Sequence, residues 1–170
     1  MTAAAAKTKP NIIKLKPFQS GDLFGRDWTV WKGPADGDGL SGNEERAPEW
    51  DAFAEFDLSQ IAPVSLLKKG EPYATGNECR KRLLLPEYAG KIRVGPSLAI
   101  ALRDEPDKFP EAWDGLYPFC DQLVLRSPDG SRDVVYFCRG GRAVDVCYYW
   151  LDDDRYADNP SLLASKPSGS

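Results

Sequence analysis

The sequence predicts an α+β fold: a twisted antiparallel β-sheet with a C-terminal three-stranded meander and two short helices. The meander follows from three apolar runs in residues 119–151, which are separated by the turn sequences SPDG and GG. The helices follow from a capping-box pattern that begins at Thr75 and from a Gly-Pro-Ser sequence that begins at Gly95.

The length and composition predict one domain. With 170 residues and 42% hydrophobic side chains, the chain can bury a core of its own. We expect a single α+β domain over residues 11–160, with a disordered tail before it (residues 1–10) and a flexible C-terminal tail after it (residues 161–170).

The first elements are predicted to be extended. Residues 12–15 (IIKL) predict a short strand. Residues 24–31, which include Trp28 and Trp31, predict an aromatic strand that a Gly-Pro pair ends.

Residues 35–43 (ADGDGLSGN) predict a solvated loop. Asp36 and Asp38 resemble the first ligands of a calcium loop, in which carboxylates at positions 1 and 3 turn towards the ion. The match ends there, because Ser41 and Ala47 stand where such a loop needs glycine and a bidentate glutamate. We therefore expect no metal site in this loop.

Two helices are predicted in the middle of the chain. Thr75, with Glu78 three residues later, predicts a helix over residues 76–85, which Pro86 stops. A second helix is predicted over residues 98–103, because a Gly-Pro-Ser start suits the first turn of a helix.

The segments around these helices carry weaker signals. Residues 50–58 alternate apolar and polar side chains, which favours a strand, although a short helix also fits. Pro63 is predicted to end this element, and residues 64–67 to form another brief strand. Residues 104–118 predict a connector with one helical turn, pinned to the core by aromatic side chains such as Trp113.

The two turn sequences of the meander predict its register. The SPDG sequence suits a type I turn followed by a left-handed glycine, which places Leu125 opposite Asp133 and Val124 opposite Val134. The GG sequence at residues 140–141 predicts two further cross-strand pairs: Cys138 with Ala143, and Cys147 with Val134.

Alternation sorts the side chains of the meander onto two faces. The apolar face, predicted to be the core face that both helices cover, carries Leu123, Val135, Phe137, Val144, Val146, Tyr148 and Trp150. The opposite, mixed face carries Gln122, Val124, Val134, Tyr136, Cys138, Asp145, Cys147, Tyr149 and Leu151. Two explanations fit the mixed face: coverage by the N-terminal strands, or a surface that binds a partner.

Charge and hydropathy narrow the classes of partner. Lys and Arg number 22 against 26 Asp and Glu, with the two signs interspersed, which argues against direct nucleic-acid binding. The run of aspartates at residues 152–154 predicts a protected strand end. Without a signal-peptide pattern or an apolar run of membrane-spanning length, the chain is expected to be cytoplasmic, without membrane contact.

The cysteines and the absence of histidine limit the chemistry. Cys79, Cys120, Cys138 and Cys147 form no CxxC pair, so free, mostly buried thiols are expected rather than a disulfide framework or zinc site. Cys79, at the start of the first predicted helix, would act as a nucleophile only with Glu78 as its base. Without a phosphate-loop motif either, we expect no cofactor and no enzymatic activity.

Four segments resemble a group of uncharacterised small proteins of candidate-phylum bacteria. They are TGNECRKRLL (75–84), KIRVGPSLAIAL (91–102), VLRSPDGSRDVVYF (124–137) and YYWLDDDRYADNPSLLAS (148–165). The likeness spans roughly residues 24–165, and the C-terminal hairpin and tail carry its most specific part. The chain departs from the group in its meander thiols and in its GGRA turn. The group has no assigned activity, so the resemblance implies no site residue.

These observations favour a non-enzymatic binding module that uses an aromatic sheet face to bind a protein partner. The residues expected to bind are Tyr136, Tyr149, Asp145, Trp28, Trp31 and Trp113, with the tryptophans exposed. Two alternatives stay open. A carbohydrate-binding module would need coplanar aromatic rings in a groove. An acidic inhibitor of a nucleic-acid enzyme would use Asp36, Asp38, Glu44, Glu45, Glu49, Asp51, Glu55 and Asp57 as a negative surface.

Overall fold

The computed structural model describes residues 9–36 and 45–166, which form an α+β fold as predicted. The strands are β1 (Ile12–Lys14), β2 (Thr29–Val30), β3 (Glu55–Asp57), β4 (Ile61–Val64), β5 (Ala74–Thr75), β6 (Lys91–Arg93), β7 (Phe119–Arg126), β8 (Arg132–Gly140), β9 (Ala143–Trp150), β10 (Asp154–Arg155) and β11 (Ser161–Ser165). The α-helices are α1 (Gly21–Phe24), α2 (Gly76–Arg82) and α3 (Pro96–Asp104). Short 3-10 helices lie at Gly33–Asp36, Pro48–Ala52, Leu58–Gln60, Pro86–Tyr88, Pro106–Lys108 and Glu111–Trp113.

The main sheet has seven strands. Its central path runs β4-β11-β7-β8-β9, with β2 added to β7 and β6 added to β11. All pairings in it are antiparallel except that of β11 with β7, which is parallel at Ser161 and Phe119. Two small antiparallel sheets, β1-β3 and β5-β10, complete the architecture of the described residues.

The predicted meander is present as β7, β8 and β9. Leu125 lies opposite Asp133 as predicted, but the register shifts between Cys120 and Leu125, so the predicted pairing of Val124 with Val134 is not part of the ladder. The second register was wrong by two residues: Cys138 pairs with Asp145, and Cys147 pairs with Tyr136. The loop of this hairpin is Gly141 and Arg142, and Gly141 has a φ of 63°, which suits the first central position of a type II′ turn. Because side chains alternate with a period of two, this shift leaves the side chains of β8 and β9 on their predicted faces.

The apolar face of the meander forms the main core together with α3. Val135, Phe137 and Val144 are buried there in one cluster with Leu98 and Leu102 of α3. The Gly-Pro start places Pro96 in the first turn of α3, where its missing N–H has no helical partner to lose.

Helix α2 does not share this face, so the prediction that both helices cover one side of the sheet was wrong. Leu162 and Leu163 are neighbours on β11 and therefore point to opposite faces. Leu162 belongs to the core under α3, whereas Leu163 packs with Cys79 and Leu83 of α2. The two helices thus lie on opposite sides of the sheet.

Residues 161–165, predicted to belong to a flexible tail, form the interior strand β11. This strand pairs with β4 on one edge and with β6 and β7 on the other. Leu162 and Ala164 are fully buried. A stretch of five residues with no alternation carries no local strand signal, and only its distant partners make it a strand.

The remaining predictions hold in part. The Thr75 hydroxyl accepts a hydrogen bond from the Glu78 N–H (3.2 Å), which confirms the helix cap. Helix α2 ends at Arg82, before the predicted residue 85, because Leu85 is extended ahead of proline. Pro63 does not end a strand. It lies within β4, at the edge of the sheet, where a missing N–H costs no ladder bond.

The N-terminal half forms shorter strands than predicted. Residues 50–58 divide into a 3-10 turn that contains Trp50 and the three-residue strand β3. The aromatic strand predicted over residues 24–31 contracts to β2, preceded by α1. Most of the predicted loop, including Asp38 of its calcium-like pair, lies outside the described residues.

Candidate functional site

Strand β9 lies at one end of the main sheet. In the described part of the chain it pairs with β8 alone, so its other edge is open along eight residues. In a two-residue hairpin the residues that flank the loop exchange hydrogen bonds, as Gly140 and Ala143 do in this register. Counting from that pair, Val144, Val146, Tyr148 and Trp150 direct their backbone N–H and C=O groups outward. An open edge of this kind is a template for another strand.

Two large aromatic side chains stand half-exposed on the apolar face of β9. Tyr148 is 52% exposed and Trp150 is 48% exposed, which corrects their predicted place in the core. The core cluster extends only as far as Val146 along this strand. The ring of Tyr148 packs on Phe24 (5.0 Å) and Trp28 (4.7 Å), so its inner side is fixed while its outer side meets solvent.

The mixed face carries a second set of aromatic rings. Tyr136 stacks on Phe119 with ring centres 5.2 Å apart, and Tyr149 meets the same ring edge-on at 5.3 Å. The Tyr149 hydroxyl donates a hydrogen bond to the Asp154 carbonyl (2.6 Å). Both tyrosines are half-buried, so the chain covers the mixed face only in part.

The three tryptophans predicted to be exposed are buried. Trp28 and Trp113 lie in the main core, and Trp31 lies with Val124 beneath the mixed face. Trp113 packs on Phe137 with ring centres 6.3 Å apart. An indole buries so much apolar area that an interior position outweighs a solvent-exposed one wherever the fold supplies space. None of the three is therefore available to a partner.

Asp145 is exposed on β9, as its predicted role requires, and lies opposite Cys138. Burial, followed by the neighbouring Cys147, raises the pKa of Tyr136 to about 12. Burial also raises the pKa of the Cys138 thiol, again with Cys147 as the next cause. At neutral pH the Tyr136 and Cys138 side chains are therefore uncharged, which suits a contact surface.

A buried ion pair lies beneath the mixed face, and sequence reasoning missed it. Asp121 is fully buried and receives two hydrogen bonds from Arg155, at 2.8 and 2.9 Å. Ser161 donates a third, at 2.7 Å. The Arg155 guanidinium also lies 4.0 Å from the centre of the Phe119 ring, so the pair supports the ring on which both tyrosines rest.

Electrostatics keep Asp121 charged despite its burial. Burial by itself raises the pKa of this carboxyl, but the charge and hydrogen bonds of Arg155, with the charge of Arg80, lower it to about 2. The only sequence signal was a cation directly after three aspartates, at position 155. Its true partner lies 34 residues earlier, a separation that local patterns do not reveal.

The thiols of the chain are free, as predicted. Burial raises the pKa values of Cys79 and Cys120. A nucleophilic Cys79 would need a lowered pKa. Burial therefore outweighs the lowering of the thiol pKa that a helix start can produce.

Several carboxylates of the acidic segment are engaged by arginines. The pairs are Asp36 with Arg126 (3.3 Å), Glu45 with Arg80 (3.3 Å) and Asp51 with Arg46 (2.8 Å). Asp57 instead accepts backbone hydrogen bonds from Asn11 and Ser59. Asp38 and Glu44 lie outside the described residues. These pairings neutralise charge that a phosphate mimic needs.

Among residues 9–36 and 45–166, no three His, Cys, Asp or Glu side chains are grouped as ligands of a metal ion. None of the helices in these ranges has the length and apolar character needed to cross a bilayer.

Comparison of the chain with protein-family models, with curated proteins and with solved structures finds no significant match. The resemblance to the candidate-phylum group therefore stays a prediction.

Proposed function

We propose that the protein is a non-enzymatic binding module that joins a protein partner through β9. The observation that carries this proposal is an open eight-residue edge strand with partly exposed aromatic rings on both of its faces. Addition of a strand to an open edge supplies backbone hydrogen bonds, and the aromatic side chains supply contact area.

The absence of a catalytic role rests on where the perturbed carboxylates lie. Among the described carboxyls with shifted pKa values, Asp121 belongs to a buried ion pair. Asp129 and Asp133 flank Ser131 in the β7–β8 hairpin: hydrogen bonds from Ser127 and Ser131 lower the pKa of Asp129, whereas burial raises the pKa of Asp133. Hydrogen bonds from Arg82 lower the pKa of Glu71. Burial alone would raise the pKa of Asp57, but hydrogen bonds from Ser59 and Asn11 lower it, so each shift has a structural cause.

The partner that β9 suits best is a second copy of the chain. Two β9 strands can pair antiparallel about a two-fold axis only if the residues whose backbone groups point outward lie opposite one another. A two-fold axis at Cys147 meets this condition. In that register Val146 lies opposite Tyr148, and Val144, whose side chain is buried in the core, lies opposite Trp150, so the half-exposed rings of both chains lie over apolar positions. Oppositely charged Arg142, in the hairpin loop, and Asp152, just after β9, then lie near each other beyond both ends of the paired strands, and both are exposed in the single chain.

Sedimentation velocity over a concentration series tests this proposal. We expect a monomer–dimer equilibrium that Trp150→Lys weakens at least about tenfold, since loss of a large aromatic contact at an interface costs more than about 1 kcal/mol. Tyr117→Lys is the matched control, because Tyr117 is 41% exposed outside β9. A wild-type chain that stays monomeric at millimolar concentration, or equal effects of the two variants, would refute the pairing of two copies through β9.

Mild oxidation tests the register. A centre at Cys147 brings the two Cys147 Cα atoms to about 4.5 Å, within disulfide range. We expect a covalent dimer that Cys147→Ser abolishes and Cys138→Ser preserves. A dimer that crosslinks only through Cys138 would contradict this register.

A further inference from the structure

A cleft with a concentrated positive charge lies on the α2 side of the molecule. It measures about 910 Å³ and runs between α2, β6 and the segment after residue 44. Among the described residues, six cations line it, against two carboxylates, Glu45 and Glu49. The cations are Arg46, Arg80, Lys81, Lys91, Arg93 and Arg132. Arg80 pairs with Glu45, and Arg46 pairs with Asp51, and the remaining cations still give the cleft an excess of positive charge in a chain whose net charge is −4.

Three of these cations form no ion pair with a described carboxylate, so their charge can act on a ligand. Lys91 and Arg93 lie two residues apart on β6 and therefore point to the same side of the strand, while Ile92 points into the core. Lys81 is exposed on α2. Within the described ranges, no carboxylate lies within ion-pair distance of Lys81, Lys91 or Arg93.

The floor of the cleft is held rigidly by Arg80. Its side chain donates to the Glu45 carboxylate at 3.3 Å and to the Asp121 carbonyl at 2.9 Å. Burial lowers the pKa of Arg80, Asp121 and Glu45 raise it, and the nearby charge of Arg93 lowers it again. The positive charge of Arg93 therefore acts on Arg80, and an anion bound between the two guanidinium groups would reduce their repulsion.

The opposite part of the cleft is apolar. Leu84 is 75% exposed, and it lines the cleft together with Tyr88 and Ala89. A side chain this apolar gains from contact with a ring or another flat apolar group. The volume also falls within the range of small-molecule sites, roughly 300–1,000 Å³.

We propose that this cleft binds a phosphorylated ligand of nucleotide size. Its phosphate groups lie against Lys81, Lys91 and Arg93, and its ring lies against Leu84 and Tyr88. Arginine matches phosphate with two parallel hydrogen bonds, and the two lysines add point charges. This site is separate from the β9 edge, so its failure would leave the protein-binding proposal intact.

Equilibrium binding tests the site with three probes: inorganic phosphate, ADP and a single-stranded oligonucleotide. We expect ADP to bind more tightly than inorganic phosphate, because only ADP reaches the apolar wall. Arg93→Gln should weaken ADP at least about tenfold, the loss expected for a charge-assisted contact. The matched control is Arg26→Gln, since Arg26 is exposed and does not line the cleft. Thermal unfolding of both variants separates lost binding from lost folding.

The arms of the experiment separate the possible outcomes. Tight binding of ADP identifies a free nucleotide as the ligand, whereas tighter binding of the oligonucleotide assigns the same phosphate site to a nucleic-acid strand. Either result, if Arg93→Gln weakens it and Arg26→Gln does not, supports the site. No binding of any probe at low ionic strength, or equal effects of the two variants, would overturn the proposal.

Discussion

The substitution Asp121→Asn tests the buried ion pair most directly. It keeps the shape of the side chain but removes the charge that Arg155 and Arg80 face. Arg155 is only 2% exposed, so its guanidinium has no access to water once its partner is neutral. Breaking a buried pair by neutralising one member costs about 3–5 kcal/mol, a large share of the roughly 5–15 kcal/mol that stabilises a typical domain.

Urea unfolding at neutral pH measures this cost. We expect the free energy of unfolding to fall by about 3–5 kcal/mol and the melting temperature by about 10 °C. Ser161→Ala is the graded control: it removes one of the three hydrogen bonds to the carboxylate, worth about 1 kcal/mol, and leaves the charges paired. A loss below about 1 kcal/mol in Asp121→Asn would refute the reasoning, because it would mean that Arg155 finds water or another partner.

Two further predictions follow from the same contacts. Since the pKa of Asp121 is about 2 in the folded chain and 3.8 ordinarily, its contribution is present above about pH 4 and lost as the pH falls towards 2. The gap in unfolding free energy between wild type and Asp121→Asn should therefore narrow from pH 6 to pH 2.5, and a constant gap would contradict the assignment. Gly76→Ala should lower stability by about 1–3 kcal/mol, because its Cβ would lie 2.8 Å from the Leu151 carbonyl oxygen. Gly90→Ala, with open space around its Cβ, should change stability little, and equal melting temperatures for the two variants would exclude the clash.

Local chemistry made part of the fold predictable. Thr75 and Glu78 marked a helix start because the hydroxyl reaches a backbone N–H three residues later. The SPDG turn set the pairing of β7 and β8 beside the turn, at Leu125 and Asp133, because proline and glycine restrict backbone angles at neighbouring positions; the register shift between Cys120 and Leu125 lies beyond its reach. In the second turn, either Gly140 and Gly141 or Gly141 and Arg142 could occupy the two central positions. That ambiguity explains the shift of two residues and the preserved faces.

The candidate site was predictable only in part. Alternation assigned Tyr136 and Tyr149 to the face opposite Phe137, and both lie there. Exposure was not predictable from alternation, because it depends on how far α1 and α3 extend over the sheet. For the same reason two predictions of exposure were wrong. Trp28 was predicted to lie at the surface but is buried, and Trp150 was predicted to lie in the core but is half-exposed.

The sequence by itself determined the features that depend on residues close together in the chain: the α+β class, the hairpin turns, the helix cap and the two faces of the meander. Only the tertiary structure decided which strand lies at the edge, which cation meets Asp121 and where cations of the described residues gather in a chain of negative net charge. The physical reason is that turns and caps follow from adjacent backbone angles and hydrogen bonds. Edges, buried pairs and clefts instead join residues that are far apart in the chain, which only the packed core brings together.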